Sequence, residues 1–241
     1  MIRVLLPVPD PAPSLFRVEG ERHHYLRRVL RVDEGDEVEV FDGQGRAFSA
    51  RVAKLEETAL ELVLGHERRE APVRRVTVVQ GLPKGEKLEW VIEKAVELGA
   101  SAIVPAEAER SVVRLDAARA VRRHERWQKI ANEAARQCGR SDVPTVLPLM
   151  PMARVREALE PGCVLLVLDE EERARPLSQA LPPSPTPVAL VVGPEGGLTR
   201  EEVAELVSEG GVPVTLGGLI LRTETAALAA LSALAALWGG M

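Results

Sequence analysis

The order of apolar and polar residues divides the chain into two regimes. Up to about residue 65, apolar side chains recur at every second position. Val38 and Val40 alternate with Glu37 and Glu39; after a DGQG turn (42–45) come Phe48, Ala50 and Val52, and then Leu60, Leu62 and Leu64. Period two with Gly/Asp turns between the runs predicts a small antiparallel barrel or sandwich. One stretch departs from it: ERHHYLRRVLRV (21–32) sets Tyr25, Leu26, Val29 and Leu30 at helical spacing, with Arg and His on the other side. GHERREAPVRR (65–75), polar and interrupted by a proline, is expected to be a linker.

From residue 76 the period changes. VTVVQ (76–80), SAIVP (101–105), VLLVL (164–168), VALVV (188–192) and VPVTL (212–216) are short apolar runs, as strands buried on both faces require. Between them, KGEKLEWVIEKAVELG (84–99) places Leu88, Val91, Ile92 and Ala95 on one helical face and ends at Gly99, a predicted helix-terminating glycine. ERWQKIANEAARQCG (125–139) aligns Trp127, Ile130, Ala131, Ala134, Ala135 and Cys138 in a stripe. Trp90 and Trp127 are therefore expected in the core. LPPSPTP (181–187) reads as a rigid connector, and the last helix is alanine-rich and apolar almost all round. Strands alternating with helices predict an α/β fold with a mostly parallel, doubly wound sheet.

Composition adds three constraints. At 241 residues and 46% apolar, the chain is long enough for one large or two modest domains with a real core. No run of about 18 apolar residues and no cationic-then-apolar leader is visible, so a cytoplasmic protein without membrane association is expected. Two cysteines, Cys138 and Cys163, and four histidines form neither a disulfide framework nor a ligand set, so no metal site is expected. The net charge of −5 conceals an asymmetry: residues 17–31 hold five Arg against two Glu, and residues 108–140 nine Lys/Arg against four Asp/Glu. Local positive potential is what attracts phosphate, although two solvated helix faces would read the same way.

Ligands of doubly wound sheets bind beyond the carboxyl ends of the strands. Three loops fall there: DEEE after 168, GPEGG at 193–197, and GGLILRTE at 217–224. Thr199 and Glu202 form a capping-box pattern that starts a helix directly after the second loop. Paired glycines would leave its amides open to a flat ligand with polar edges, such as adenine. A plain strand-to-helix turn would look similar. Neither the P-loop nor the dinucleotide glycine pattern is present.

Five blocks then point to a family: HHYLRRVLR (23–31), KGEKLEWVIEKAVELGA (84–100), RWQKIANEAARQCGRSDVP (126–144), GPEGGLT (193–199) and LGGLILRTETA (216–226). In this order, over nearly the whole chain, they resemble the bacterial 16S rRNA uridine-N3 methyltransferase family (RsmE) of the SPOUT superfamily. The resemblance implies an N-terminal PUA-like β-barrel over 1–68 that binds RNA. Over 74–241 it implies a SPOUT parallel-sheet domain with a C-terminal trefoil knot, which connection rules alone would reject. It further implies S-adenosyl-L-methionine as cofactor, 16S rRNA or the 30S subunit as partner, and a homodimer. The expected cofactor-binding residues are Leu168, Gly193, Glu195, Gly196, Gly197, Leu216, Gly218, Ile220, Leu221 and Arg222. Arg222 is the expected catalytic cation and Glu224 a candidate base, although a carboxylate there also suits a helix N-terminus. RNA contacts are expected from His23, His24, Arg27, Arg28 and Arg31, and from Arg110, Arg114, Arg136 and Arg140; the two histidines would equally serve in packing. Two alternatives stay open at this point: a non-catalytic RNA-binding ribosome-assembly factor, and a SPOUT enzyme acting on a ribose 2′-hydroxyl or a tRNA guanine.

Overall fold

In the computed structural model, which describes residues 1–70, 75–183 and 186–239, the period-two segments pair as one five-stranded sheet. Its strands are β1 (Ile2–Leu5), β2 (Leu15–Glu19), β3 (Glu37–Phe41), β4 (Arg46–Leu55) and β5 (Ala59–Arg69), in the order β1-β3-β4-β5-β2. All pairs are antiparallel except β1 with β3, which is parallel. The inward positions Val38, Val40, Phe48, Ala50, Val52, Leu60 and Leu62 meet Val4, Leu6 and Leu26 in a single core. This sheet belongs to a unit of Met1–Pro72 with Ala135–Val143; the second unit is Val73–Ala134 with Pro144–Met241.

The helical insert corrects one expectation. A short α1 (Gly20–His24) runs into a π-helical turn over Tyr25–Val29, in which the Leu30 amide donates to the Tyr25 carbonyl oxygen. Five residues per hydrogen-bonded ring shift the phase of the apolar stripe. Leu26 stays buried while Val29, placed on the same face by the sequence, stands 61% exposed. The expected linker is also corrected: residues 65–69 continue β5. Residues 71–74 of that segment lie outside the described residues, as do 184–185 of the 181–187 connector.

The second unit holds the parallel sheet. Its strands β6 (Val76–Gly81), β7 (Ala102–Glu107), β8 (Thr145–Val146), β9 (Met150–Pro151), β10 (Val164–Leu168), β11 (Val188–Val192) and β12 (Val212–Val214) run in the order β12-β10-β11-β6-β7-β8, with β9 also paired to β7. Every pairing in it is parallel. All five residues of β11 are buried, as its unbroken apolar run demands. The helices are α2 (Lys87–Glu97), α3 (Ala117–Cys138), the short α4 (Leu177–Ala180), α5 (Arg200–Ser208) and α6 (Thr223–Leu237).

The helix signals that rest on local chemistry hold. Gly99 has φ +88° just after α2, its amide donates to Val96 and that of Ala100 to Ala95, closing the helix end. Thr199 caps α5, with the Glu202 side chain returning to the Thr199 amide. Helix α3 begins eight residues earlier than its apolar stripe. The start is set by Asp116, whose side chain accepts the Arg119 amide at 2.8 Å. Trp127 is buried as expected, but Trp90 is 45% exposed and Cys138 is exposed, so neither belongs to the core.

Because both bonds of the capping box form, replacing Thr199 with alanine should lower stability by about 1 kcal/mol. Urea denaturation of the variant beside the parent should show this as a lower midpoint with an unchanged slope.

Candidate active site

The loops that follow β10, β11 and β12 surround one cavity of about 380 Å³, with Lys87 of α2 and the first turn of α6 completing its wall. That volume falls in the range of small-molecule sites. How each loop is held decides what it can present.

The loop after β10 is fastened by its own carboxylates. Asp169 accepts both Nη atoms of Arg200, at 3.0 and 2.7 Å, together with the Glu171 amide. Burial pushes the Asp169 carboxyl up, but the hydrogen bonds from Arg200 and Glu171 outweigh it and hold the group below its ordinary range. Glu172 accepts the amides of Ala174 and Arg175 at 2.6 and 3.1 Å. The Arg175 carbonyl oxygen in turn takes the Thr215 amide at the end of β12.

The loop after β11 closes on itself. A Cβ on Gly193 would lie 2.8 Å from the carbonyl carbon of Gly197 and 2.9 Å from the nitrogen of Leu198. Gly81, at the end of β6, meets the ring of Pro194 at the same distance scale, 2.6 Å from a hypothetical Cβ. These glycines therefore permit close backbone packing around the cavity. Arg110 fixes the loop from outside, donating to the carbonyl oxygens of Gly196 at 2.9 Å and Leu198 at 3.4 Å.

The first turn of α6 is locked beneath this loop by a buried relay. The Gln80 side-chain amide donates to the Thr223 hydroxyl at 2.7 Å, and that hydroxyl donates to the Gly193 carbonyl oxygen at 2.5 Å. Both side chains are buried. A second tether crosses the surface. Lys87 donates to Glu195 at 2.9 Å and lies 3.5 Å from Glu224, while the Lys84 amide also donates to Glu195. The hydrogen bond that Lys87 donates to the Glu195 carboxylate raises its ammonium above the ordinary range. Partial burial pushes Glu195 up, but the bonds from Lys87 and the backbone outweigh it and leave its carboxyl lowered. Gln80, Lys87 and Thr223 carry no local signature as site residues in the sequence, since each acts on a partner 30 or more residues away.

The cavity wall includes every expected cofactor residue except Gly196 and Gly218. Leu219 and Ile220 stand 83% and 73% exposed on it. Arg222 lines the cavity and is exposed. Glu224 turns toward Lys87 and does not line it; its Oε2 is buried without a hydrogen bond. Of the expected RNA residues, His23 is buried with Nε2 3.2 Å from the Glu56 carbonyl oxygen, and Arg27 donates to the carbonyl oxygens of Glu56 and Glu57. His24, Arg28 and Arg31 are exposed. Arg114 pairs with Glu107, Arg140 is buried against Asp142, and Arg136 is partly buried. Among the described residues no cluster of His, Cys, Asp and Glu has the makings of a metal site, and no helix is long and apolar enough to cross a membrane.

A parallel sheet whose strand-end loops enclose a cavity, preceded by a small β-domain, is the architecture of an RNA-modifying transferase in two family patterns. The RNA methyltransferase domain matches residues 69–235, and the RNA methyltransferase PUA domain matches residues 18–65. The chain belongs to the ribosomal RNA small subunit methyltransferase E family: it is 39% identical to the Bacillus subtilis protein of that name over 236 residues, covering 93% of this chain and 91% of that one. The Mycobacterium tuberculosis protein is 38% identical, with 95% and 89% covered. The crystal structure of the Neisseria gonorrhoeae protein bound to S-adenosyl methionine superposes with a TM-score of 0.87, at 36% identity, over 99% of this chain and 98% of that one.

Two outcomes follow from the tethers. Thr223→Val removes the donor to Gly193 and should cost about 1–3 kcal/mol, the range for leaving a buried polar group unpaired, read by thermal or urea unfolding. The Glu195 contribution is present above the ordinary carboxylate pKa and is lost as pH falls through the lowered one. The stability difference between the parent and Glu195→Gln should hold constant around neutrality and shrink below about pH 4.5, the ordinary glutamate range.

Proposed function

We propose that the chain transfers a methyl group from S-adenosylmethionine to N3 of a uridine in 16S ribosomal RNA of the small subunit. The observation that carries this reading is the cavity built from the three strand-end loops, in a chain of this family. Its residues suit the cofactor. Leu168, Leu198 and Ile220 offer apolar faces for a purine, and Gly193, Pro194, Glu195 and Gly197 line the same cavity with backbone groups suited to its polar edge. Asp169, Glu170 and Glu195 share the wall with Lys87, so groups of both signs face a ligand that is itself both cationic and anionic.

When bound, S-adenosylmethionine supplies an electrophilic methyl carbon on a sulfonium. The remaining work belongs to the chain. Uridine N3 holds a proton at neutral pH, and its lone pair becomes available only once that proton leaves. Arg222, exposed on the cavity wall, is placed to stabilise the negative charge that develops on the pyrimidine oxygens. Glu224 is paired toward Lys87 and is assigned to holding the first turn of α6, with any role in proton transfer passing through water. With a ligand covering Leu219 and Ile220, the apolar part of the wall would exclude bulk water from the reacting atoms.

The N-terminal unit, over 1–68, is assigned to RNA, with His24, Arg28 and Arg31 as its exposed cations and Arg27 behind them. Phosphate contacts of this kind position a substrate without selecting its sequence. The catalytic unit, over 74–241, is assigned a C-terminal trefoil knot. Its support is that residues 216–222 pass the same cavity as the two earlier loops before α6 docks beneath Gly193. A homodimer is supported by the end of α6, where Leu237 is 55% exposed beside the exposed Ala236. A ribosomal substrate implies a cytoplasmic enzyme. A pure RNA-binding assembly factor would have no use for the cavity.

Incubating unmodified small subunits with the protein and labelled cofactor, then mass-mapping the nucleosides, should place the label on a uridine base. Label on ribose, or none, would end the reading. Arg222→Ala should cut methylation by about 100-fold or more while calorimetric affinity for the cofactor stays within about threefold. Parallel loss of both would move Arg222 into the cofactor site alone.

A further inference from the structure

The cavity wall has three basic residues, and they differ in what they already hold. Lys87 is committed to Glu195 and faces Glu224. Arg222 is assigned above. The third, Arg173, sits on the loop after β10, lines the cavity and is exposed.

That loop is tied down at several points. Asp169 is fastened to Arg200, Glu172 to the amides of Ala174 and Arg175, and Arg175 to Thr215 of the neighbouring strand end. Two of its carboxylates and several backbone groups are thus engaged in fixing its own shape. Among the described residues the Arg173 guanidinium makes no hydrogen bond and no ion pair, although Asp169 feels its charge. Glu170, also on the cavity wall, is exposed and does not approach it within ion-pair distance. The result is a rigid loop displaying an unpartnered planar cation at a ligand site. A guanidinium matches the geometry of a phosphodiester and binds it by two parallel hydrogen bonds.

We infer that Arg173 anchors a backbone phosphate of the RNA strand beside the target nucleotide, on the wall formed by the loop after β10, while Arg222 serves the base from the loop after β12. Resting on the methyltransferase reading above, it adds a positioning residue for the nucleic-acid substrate. Because the contact is electrostatic and sequence-independent, it governs how well the strand is seated, with the chemistry left to other groups.

The test compares the parent with Arg173→Ala and Arg173→Lys. Cofactor affinity is measured by calorimetry, RNA affinity at several salt concentrations on unmodified small subunits, and methylation kinetics under saturating cofactor. Arg173→Ala should leave cofactor affinity within about twofold, raise KM for the subunit about tenfold or more with kcat little changed, and lower the salt-dependence slope by about 0.7–0.9, the contribution of one phosphate. Arg173→Lys should recover most of the salt slope but only part of the KM, since charge returns without the fork. Loss of cofactor affinity in Arg173→Ala would place the guanidinium on the cofactor and overturn the inference. An unchanged KM and slope would overturn it equally. If the parent itself neither binds the cofactor nor methylates the subunit, the methyltransferase reading fails, a result separate from either of these.

Discussion

A chain of two hydrogen bonds, from Gln80 through Thr223 to the carbonyl oxygen of Gly193, holds the site together. It joins the end of a central strand, the first turn of the last helix and the glycine loop, three pieces far apart in sequence. Both side chains are buried, so neither bond competes with water, and breaking one strands a polar group in a dry place. The relay therefore does more than add stability. It sets the height of the loop between β11 and α5 relative to the start of α6, and the cavity is the space left between them.

The glycines make that arrangement possible in a way their pattern alone did not disclose. Paired glycines in a strand-to-helix loop first read as an opening for a ligand to approach backbone amides. Outside that pair, Gly193 and Gly81 allow backbone to approach backbone, with any Cβ colliding at under 3 Å. The ligand gains a wall whose shape is fixed before it arrives, the condition under which a site loses least to reorganisation.

What could be read from the sequence was chemistry acting over a few residues. The Thr199–Glu202 capping box, Gly99 at the end of α2 and the all-apolar β11 each declare themselves within a window of about one turn or strand. Most of the residues expected to bind the cofactor, read through the family's own blocks, fall on the wall of the one cavity described above. Three things were not legible in the sequence. The early start of α3 depends on Asp116, a polar signal that an apolar stripe ignores. The π turn at Tyr25–Val29 leaves the residue spacing intact but rotates Val29 outward. Trp90 lies beside apolar neighbours on α2 yet on the open flank of that stripe, where a large ring shows almost half its surface. Long-range partners such as Lys87 with Glu195 have no local signature at all.

The loop after β12 has a different standing from the other two. The first is tied by Asp169 and Glu172, the second by Arg110, Glu195 and Thr223; in the third, Thr215 accepts the Gly217 amide and Leu219 and Ile220 stand almost fully exposed. Fully burying such a side chain contributes about 1.5–3 kcal/mol, and each 1.4 kcal/mol changes an equilibrium tenfold. A ligand that covered both would thus gain affinity from groups that do nothing for the free protein. In the same contact it would order the least tethered of the three loops. Arg222 follows directly on that loop, so covering Leu219 and Ile220 also fixes the point from which its guanidinium reaches. A ligand seated over Leu219 and Ile220 would in this way also settle the position of Arg222, through two exposed apolar side chains.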